Sequence, residues 1–376
     1  MKLVHLADLH LGYRAYNKIT AKGLNIRERD VIKAFKESLN RIAAINPDVI
    51  LIAGDIFHRP RPGNTSIYLA LKFLQDFRIK CSAPIVMISG NHEASKSLEN
   101  ENILKVLETT IPNLKLIDRQ IEQFAIENLG VNILGVPYNA LSDFDKMLFV
   151  PDNVYKYNVL MIHGSYEGIK CLEHESHGQA SLINPENINQ SRWNYVALGH
   201  YHKYTKLAEN TFYSGAIERT SSNVWQEATD PKGFIEYDLE TGQHKFHSLE
   251  SPRKVVDMEK IEVNSLTPEE INRKIDEEVL KIGHLEDSII RLTLENIDNT
   301  AIRNLDYAKL RFYRKKALHF QLNFIKKEAL QNKKDALLGK GQDLFEYFEE
   351  DLKDFELSPG LDKEKFDDLA KSYLYS

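Results

Sequence analysis

Val49-Ile50-Leu51-Ile52-Ala53-Gly54-Asp55-Ile56-Phe57-His58 opens as an apolar run of strand length and closes on a glycine, a carboxylate and an imidazole. Four other stretches follow the same plan. Leu3-Val4-His5-Leu6-Ala7 leads into Asp8-Leu9-His10, and Ile85-Val86-Met87-Ile88-Ser89 leads into Gly90-Asn91-His92-Glu93. Val159-Leu160-Met161-Ile162 runs into His163-Gly164, and Val196-Ala197-Leu198 into Gly199-His200-Tyr201-His202. Each motif is weak alone: Asp8 by itself reads as a turn residue or a helix cap, and a lone histidine beside an apolar run is more often a satisfied core residue. Five such strand ends in one chain point instead to a shared crevice, because open α/β sheets gather their sites at the carboxyl ends of strands.

Carboxylate, amide and imidazole donors without a thiolate suit hard-to-borderline divalent cations. Hydrolysis of a phosphodiester needs a nucleophile at neutral pH and relief of charge on the phosphoryl oxygens. Two divalent ions about 3.5–4 Å apart supply both, and they need one carboxylate to bridge them. Asp55, directly after a buried strand and a glycine, is the best candidate for that bridge.

The composition is that of a soluble globular protein with room for two or three domains in 376 residues. Asp8 and His10 interrupt any N-terminal signal pattern, and no apolar run is long enough to span a bilayer. Cys81 and Cys171 are too few for a disulfide framework, which fits a reducing cytosol. No glycine-rich phosphate loop is visible, so no bound ATP is expected. The formal charge of −6 is unevenly spread. Residues 343–368 hold 11 acidic side chains against 3 lysines, a net of −8, so the remainder is close to neutral at +2. Residues 309–334 are strongly basic. A basic block feeding an acidic tail suggests two different partners.

To about residue 250 strands alternate with helical stretches, the pattern of a layered α/β domain. Helices are expected over 64–79, started by Asn64-Thr65-Ser66, and near 97–109. Beyond Ser251-Pro252 a smaller unit follows: a strand over 255–261, a helix from Pro268 to Lys281 opening at Thr267, a strand over 288–294, a helix near 299–306 and a strand over 318–324. Residues 331–342 read as a linker. Two amphipathic helices separated by Ser358-Pro359-Gly360 end the chain, with Leu344, Phe348, Leu352 and Phe355 on one stripe.

The motifs D-x-H, G-D, G-N-H-E, H-G and G-H-x-H, in this order over roughly residues 1–205, resemble the calcineurin-like metallophosphoesterase superfamily. The resemblance implies a layered two-sheet core with helices on its outer faces over 1–251, an α/β capping domain that binds DNA over 252–330, the linker, and a helix–loop–helix docking segment over 343–376. It implies that Asp8, His10, Asp55 and His202 hold one divalent ion, and that Asp55, Asn91, His163 and His200 hold the other. Mn²⁺ is the expected metal, and Mg²⁺ also suits the ligands. His92 would then be the general acid.

Asp8-Leu9-His10-Leu11-Gly12-Tyr13-Arg14, Gly54-Asp55-Ile56-Phe57-His58 with Arg61-Pro62, and Leu198-Gly199-His200-Tyr201-His202 resemble the SbcD-like double-strand-break repair nucleases of bacteria and archaea. That likeness implies a Mn-dependent 3′-to-5′ double-strand exonuclease and single-strand endonuclease, with His58 as a further active-site histidine. It also implies an SMC-like coiled-coil ATPase of the SbcC type docked on the C-terminal helices, a homodimer formed through the helices near 64–79 and 97–109, and a cytoplasmic, nucleoid-associated location away from membranes. Arg14, Lys18, Lys22, Arg27 and Arg29 fall in the expected loop after the first motif, where a substrate strand would enter. Arg59 stands where many of these relatives have a small residue, and phosphatases of the superfamily carry an arginine at the corresponding place. A phosphoprotein or small-phosphodiester substrate, and a non-catalytic scaffold with this fold, therefore stay open as alternatives.

Overall fold

The computed structural model describes residues 1–94, 101–144, 150–167, 182–326 and Lys363. The expected linker and, Lys363 apart, the C-terminal helical pair lie outside the described residues, as does Cys171. Two compact units are present. The first takes Met1–Glu259, Ile275–Leu292 and Asp306–Asn323, and the second takes Lys260–Lys274, Thr293–Leu305 and residues from Phe324 onward.

In the first unit, β1 (Lys2–Leu6), β2 (Val49–Ala53), β3 (Ile85–Ile88) and β4 (Leu114–Ile117) pair in parallel in that order. Parallel neighbours need crossovers, and α1 (Ile26–Ile45), α2 (Asn64–Arg78) and α3 (Leu104–Thr110) make them. A second sheet contains β5 (Glu122–Ile126), β6 (Val131–Val136) and β7 (Tyr157–His163). After α4 (Leu141–Phe144), the ribbon of β8 (Ser165–Tyr166) with β9 (Leu182–Ile183), and α5 (Pro185–Ile188), it gains β10 (Tyr195–Gly199), β11 (Thr205–Ala208) and β12 (Thr211–Tyr213). The chain then returns to the first sheet as β13 (Lys232–Asp238) and β14 (His244–Leu249), with β13 antiparallel to β1. The two six-stranded orders are β14-β13-β1-β2-β3-β4 and β11-β12-β10-β7-β6-β5.

The apolar runs are continuous because both faces of their strands are covered. Leu3, Val49, Leu51, Val86 and Ile88 enter the core between the sheets with Val131, Ile133, Val159, Met161 and Ala197. Val4, Leu6, Ile50, Ile52, Ile85 and Met87 face α1, α2 and α3 instead. Leu134, Leu160, Ile162, Val196 and Leu198 face outward under Phe144, Ile188 and Trp193. Side chains alternate between faces, so a one-residue slip would exchange the two cores, each large side chain of which contributes roughly 1.5–3 kcal/mol. The expected helices-outside, two-sheet architecture is the observed one.

Some local expectations change. α2 starts from Gly63, with no side-chain cap from Asn64-Thr65-Ser66. Of the helix expected near 97–109, Leu104–Thr110 is helical and 101–103 are not, while 95–100 lie outside the described residues. Arg27 and Arg29 are not in a loop: the Asn25 side chain accepts from the backbone N–H groups of Arg27 and Glu28 and starts α1 there. Arg27 is buried, and its guanidinium donates to Asp30, to Glu218 and to the Arg219 carbonyl, so it is a structural ion pair rather than a phosphate contact.

The expected strand over 255–261 is two strands, β15 (Val255–Asp257) in the first unit and β16 (Ile261–Glu262) in the second. Each runs parallel to a part of β17 (Ile289–Ile297) that belongs to the same unit. α6 (Pro268–Lys281) opens with a capping box, in which Glu270 N–H donates to the Thr267 hydroxyl and Thr267 N–H to the Glu270 carboxylate. After α7 (Asn299–Arg303), the first half of the basic block forms α8 (Tyr307–Lys316), and β18 (His319–Lys326) follows. Lys309 pairs with Asp276 and Lys316 with Glu286, while Arg311, Arg314 and Lys315 are exposed.

Removing one partner from a buried ion-pair network leaves the other charges uncompensated. Arg27→Ala is expected to lower the free energy of unfolding by roughly 3–5 kcal/mol in urea denaturation. A loss below about 1 kcal/mol would place Arg27 among ordinary surface arginines.

Candidate metal centre

Nine side chains singled out by the sequence meet where the carboxyl ends of β1, β2, β3, β7 and β10 converge. Their backbone is strained for this purpose: Asp8, His10 and Asp55 have φ of 53°, 47° and 51°, and His200 has φ of 111°. Residues other than glycine avoid this region, at a cost of order 1–3 kcal/mol each, unless their surroundings hold them there. Here the loops after β1 and β2 are zipped together, with Asp8 N–H donating to Gly54 O, His10 N–H to Asp55 O and Leu11 N–H to Ile56 O. The buried Glu93 carboxylate ties in the loop after β3, accepting from Phe57 N–H at 2.5 Å and Gly90 N–H at 3.0 Å. The same close packing requires two of the glycines. A Cβ on Gly54, whose φ is +90°, would enter the His163 ring, and one on Gly90 would enter the Asp55 carboxylate.

Donor atoms converge in two sets that could each hold a metal ion: Asp8, His10 and His202, and Asp55, His163 and His200. Within a set the donor atoms lie within 4.8 Å of one another. The His10 and His202 Nε2 atoms are 2.9 Å apart. Asn91 Oδ1 is 3.0 Å from His163 Nε2 and 2.9 Å from His200 Nδ1, which puts the amide with the second set. Asp55 Oδ2 lies between the sets, 3.9 Å from His10 Nε2 and 3.4 Å from His163 Nε2. A third combination, His10 with His58 and His92, shares His10 with the first. His58 Nδ1 is 3.4 Å from His10 Nδ1, and the His92 ring donates from Nδ1 to the His58 carbonyl at 2.7 Å, leaving its Nε2 4.0 Å from Asp55 Oδ2.

Protons are distributed unevenly over this cluster. Burial pushes the Asp8 carboxyl up to about 7, against the pull of His163 and His202. Burial acts the same way on Asp55, but the His163 imidazolium outweighs it and holds that carboxyl well below the usual range. His163 is raised to about 9, since Asp55 overcomes the effect of burial. Burial and then His202 hold His10 far below the ordinary imidazole value, and burial and then His92 bring His58 down to about 4. Burial and the Asp55 charge lift Glu93 to about 8, although two backbone N–H groups favour its ionised form. So many basic nitrogens around one buried carboxylate are the donor set of a cation site.

Contacts behind the rings were not foreseen. His163 Nδ1–H donates to the Ala53 carbonyl, which turns Nε2 toward Asn91 and Asp55. His202 Nδ1–H donates to the buried Glu227 at 2.8 Å, and Lys232 Nζ lies 3.1 Å from Glu227 and donates to the His202 carbonyl. Burial would raise the Glu227 carboxyl, but Lys232 and His202 bring it down to about 2. Outer carboxylates and carbonyls of this kind fix the tautomer of a metal-ligating histidine. Glu227 sits in a polar turn with no local signal of its own.

The cleft over the cluster has a volume of about 280 Å³, and Asp55, Asn91 and five of the histidines line one side of it. Thr220, Ser221, Ser222, Asn223 and Gln226 line the rest.

A family model for calcineurin-like phosphoesterases matches residues 1–215, more than half of the chain. The chain belongs to that family. Named relatives extend the likeness beyond the matched core. The DNA double-strand break repair protein Mre11 of Methanocaldococcus jannaschii is 29% identical over 287 residues, 73% of this chain and 70% of that protein. The SbcD component of the nuclease SbcCD from Staphylococcus epidermidis is 28% identical over 268 residues, 65% of this chain and 67% of its own. The Mre11 of Archaeoglobus fulgidus is 25% identical over 350 residues, 84% and 74% of the two chains.

Glu227→Gln keeps the shape of the side chain and removes its charge. Titration calorimetry with Mn²⁺ is expected to find affinity reduced about 10- to 100-fold, the usual effect of losing an outer-sphere partner. Unchanged affinity would separate Glu227 from the metal centre.

Proposed function

We propose that this chain is a metal-dependent DNA nuclease of double-strand-break repair, holding two divalent ions through Asp8, His10, Asp55 and His202 and through Asp55, Asn91, His163 and His200. The observation that carries the reading is the position of Asp55 Oδ2 between two converging donor sets at the floor of an open cleft. The names of the relatives, repair proteins and a nuclease component, supply the substrate class. Two ions bound there would lower the pKa of a shared water and neutralise charge on the phosphoryl oxygens.

The chain's own residues do the rest. Asn91 and the histidines orient the phosphodiester by their fixed positions. His92, part-exposed at the cleft and anchored through Nδ1 to the His58 carbonyl, is the proposed general acid, acting on the leaving oxygen through Nε2. His58, neutral at pH 7, packs edge-on against Tyr13 and beside His92, and keeps that ring in place. Mn²⁺ is the metal proposed, with 3′-to-5′ double-strand exonuclease and single-strand endonuclease action. On α8, Arg311, Arg314 and Lys315 are proposed to track phosphates, an interaction that weakens with salt.

An SMC-like coiled-coil ATPase of the SbcC type is the proposed partner of residues 343–376. A homodimer through α2 and the region around α3 is also proposed, supported by exposed Tyr68, Ile79 and Val106. No described helix is long and apolar enough to cross a membrane.

Asp55→Asn is expected to abolish cleavage of end-labelled DNA in Mn²⁺. His92→Ala is expected to slow it by about 10²- to 10⁴-fold with both ions still bound. Full activity in either variant would overturn the mechanism. Chelation should stop cleavage by the intact protein. pH supplies an independent check. Without metal, His163 keeps its proton up to about 9 and Asp8 up to about 7, so an entering cation must displace protons. Metal affinity should therefore rise from pH 6 to pH 9 with proton release on binding, measurable by calorimetry in buffers of different ionisation heat. A pH-independent affinity would contradict these ligand assignments.

A further inference from the structure

The lining of the cleft has two parts of different character. One is Asp55, Asn91 and the histidines, and the other is the segment of Thr220, Ser221, Ser222, Asn223 and Gln226, hydroxyls and amides without a formal charge. The uncharged wall is built firmly. The Arg27 guanidinium donates to the Arg219 carbonyl, and Arg219 donates in turn to the carbonyls of Glu227, Ala228 and Asp230. Val224 is buried in an apolar cluster with Ile289 and Leu318. A turn tied at so many points presents its side chains in a fixed place.

Thr220 is only 3% exposed, and its hydroxyl has no hydrogen-bond partner among the described residues; the Ser221 hydroxyl, also covered, is in the same state. Buried hydroxyls in folded proteins are nearly always partnered. Both residues line the cleft, so a ligand seated there is a ready partner for these hydroxyls. The volume leaves room for more than solvent: about 280 Å³ is many times the roughly 10–15 Å³ that one water needs. Neutral donors also suit the position. A lysine or arginine in the same cleft as two dications would be repelled, whereas a hydroxyl or amide donates to an anionic oxygen without adding charge.

Resting on the nuclease reading above, we infer that the Thr220–Gln226 wall is a substrate subsite, in which the Thr220 and Ser221 hydroxyls donate to non-bridging oxygens of the phosphate next to the scissile one. The wall thus selects a polynucleotide strand over an isolated phosphodiester.

The test is the double variant Thr220→Val with Ser221→Ala, assayed in Mn²⁺ on a single-stranded oligonucleotide and on bis(p-nitrophenyl) phosphate, which has no neighbouring phosphate. The ratio of kcat/KM for the oligonucleotide to that for the small ester is expected to fall about 10- to 100-fold, the worth of hydrogen bonds to a charged group. Replacing the neighbouring phosphate by a neutral methylphosphonate should slow the unaltered protein and barely affect the double variant. Thermal stability should stay level or rise, because the deleted hydroxyls hold nothing within the chain. An unchanged ratio, equal losses on both substrates, or a lowered melting temperature would overturn the subsite while leaving the nuclease reading intact. Failure of the unaltered protein to cleave any oligonucleotide while it hydrolyses the small ester would remove the nuclease reading and the subsite together.

Discussion

Asp55 carries a negative charge at the meeting point of the two sheets, buried and ringed by His10, His92 and His163. A buried carboxylate needs compensation, and in the metal-free chain the protonated His163 provides it. The rest of the active face follows from that requirement. His163 reaches Asp55 because β7 lies in the second sheet with its carboxyl end beside the carboxyl end of β2. Gly54 and Gly90 are glycines because side chains there would occupy the space of His163 and Asp55. The left-handed backbone at Asp8, His10 and Asp55 is maintained by hydrogen bonds between neighbouring loops rather than by local preference.

Family membership rests on residues 1–215 and explains why the sandwich is built as it is. The parallel strands at the centre of both mixed sheets bring their carboxyl ends to one edge, and metal-dependent hydrolysis needs ligands from several directions at fixed distances. The turn from Thr220 to Asp230 lies just past that span yet completes both the cleft and the support of His202 through Glu227. The donor sets and the uncharged part of the cleft lining thus come from different parts of the first unit.

Much of this was legible in the sequence, for a physical reason. Each donor side chain lies at a strand end or within a few residues of one, so apolar run and chemical group are close in the chain and can be read together, as in Val49 through Asp55. What escapes such a reading depends on contacts between distant residues. Glu227 touches His202 across 25 positions and Arg27 reaches Glu218 across 191, and neither carries a local pattern. Arg27 reads as a phosphate contact unless the Asn25 cap, which begins α1 there, is recognised. α8 is hidden inside a charge run, where the apolar face is reduced to Leu310 and Tyr313.

The most direct test of the account is anomalous diffraction from crystals soaked in Mn²⁺. Two peaks about 3.5–4 Å apart, with the Asp55 carboxylate between them and His202 and His163 on opposite sides, are the predicted result. A single peak, or manganese bound away from Asp55, would contradict it.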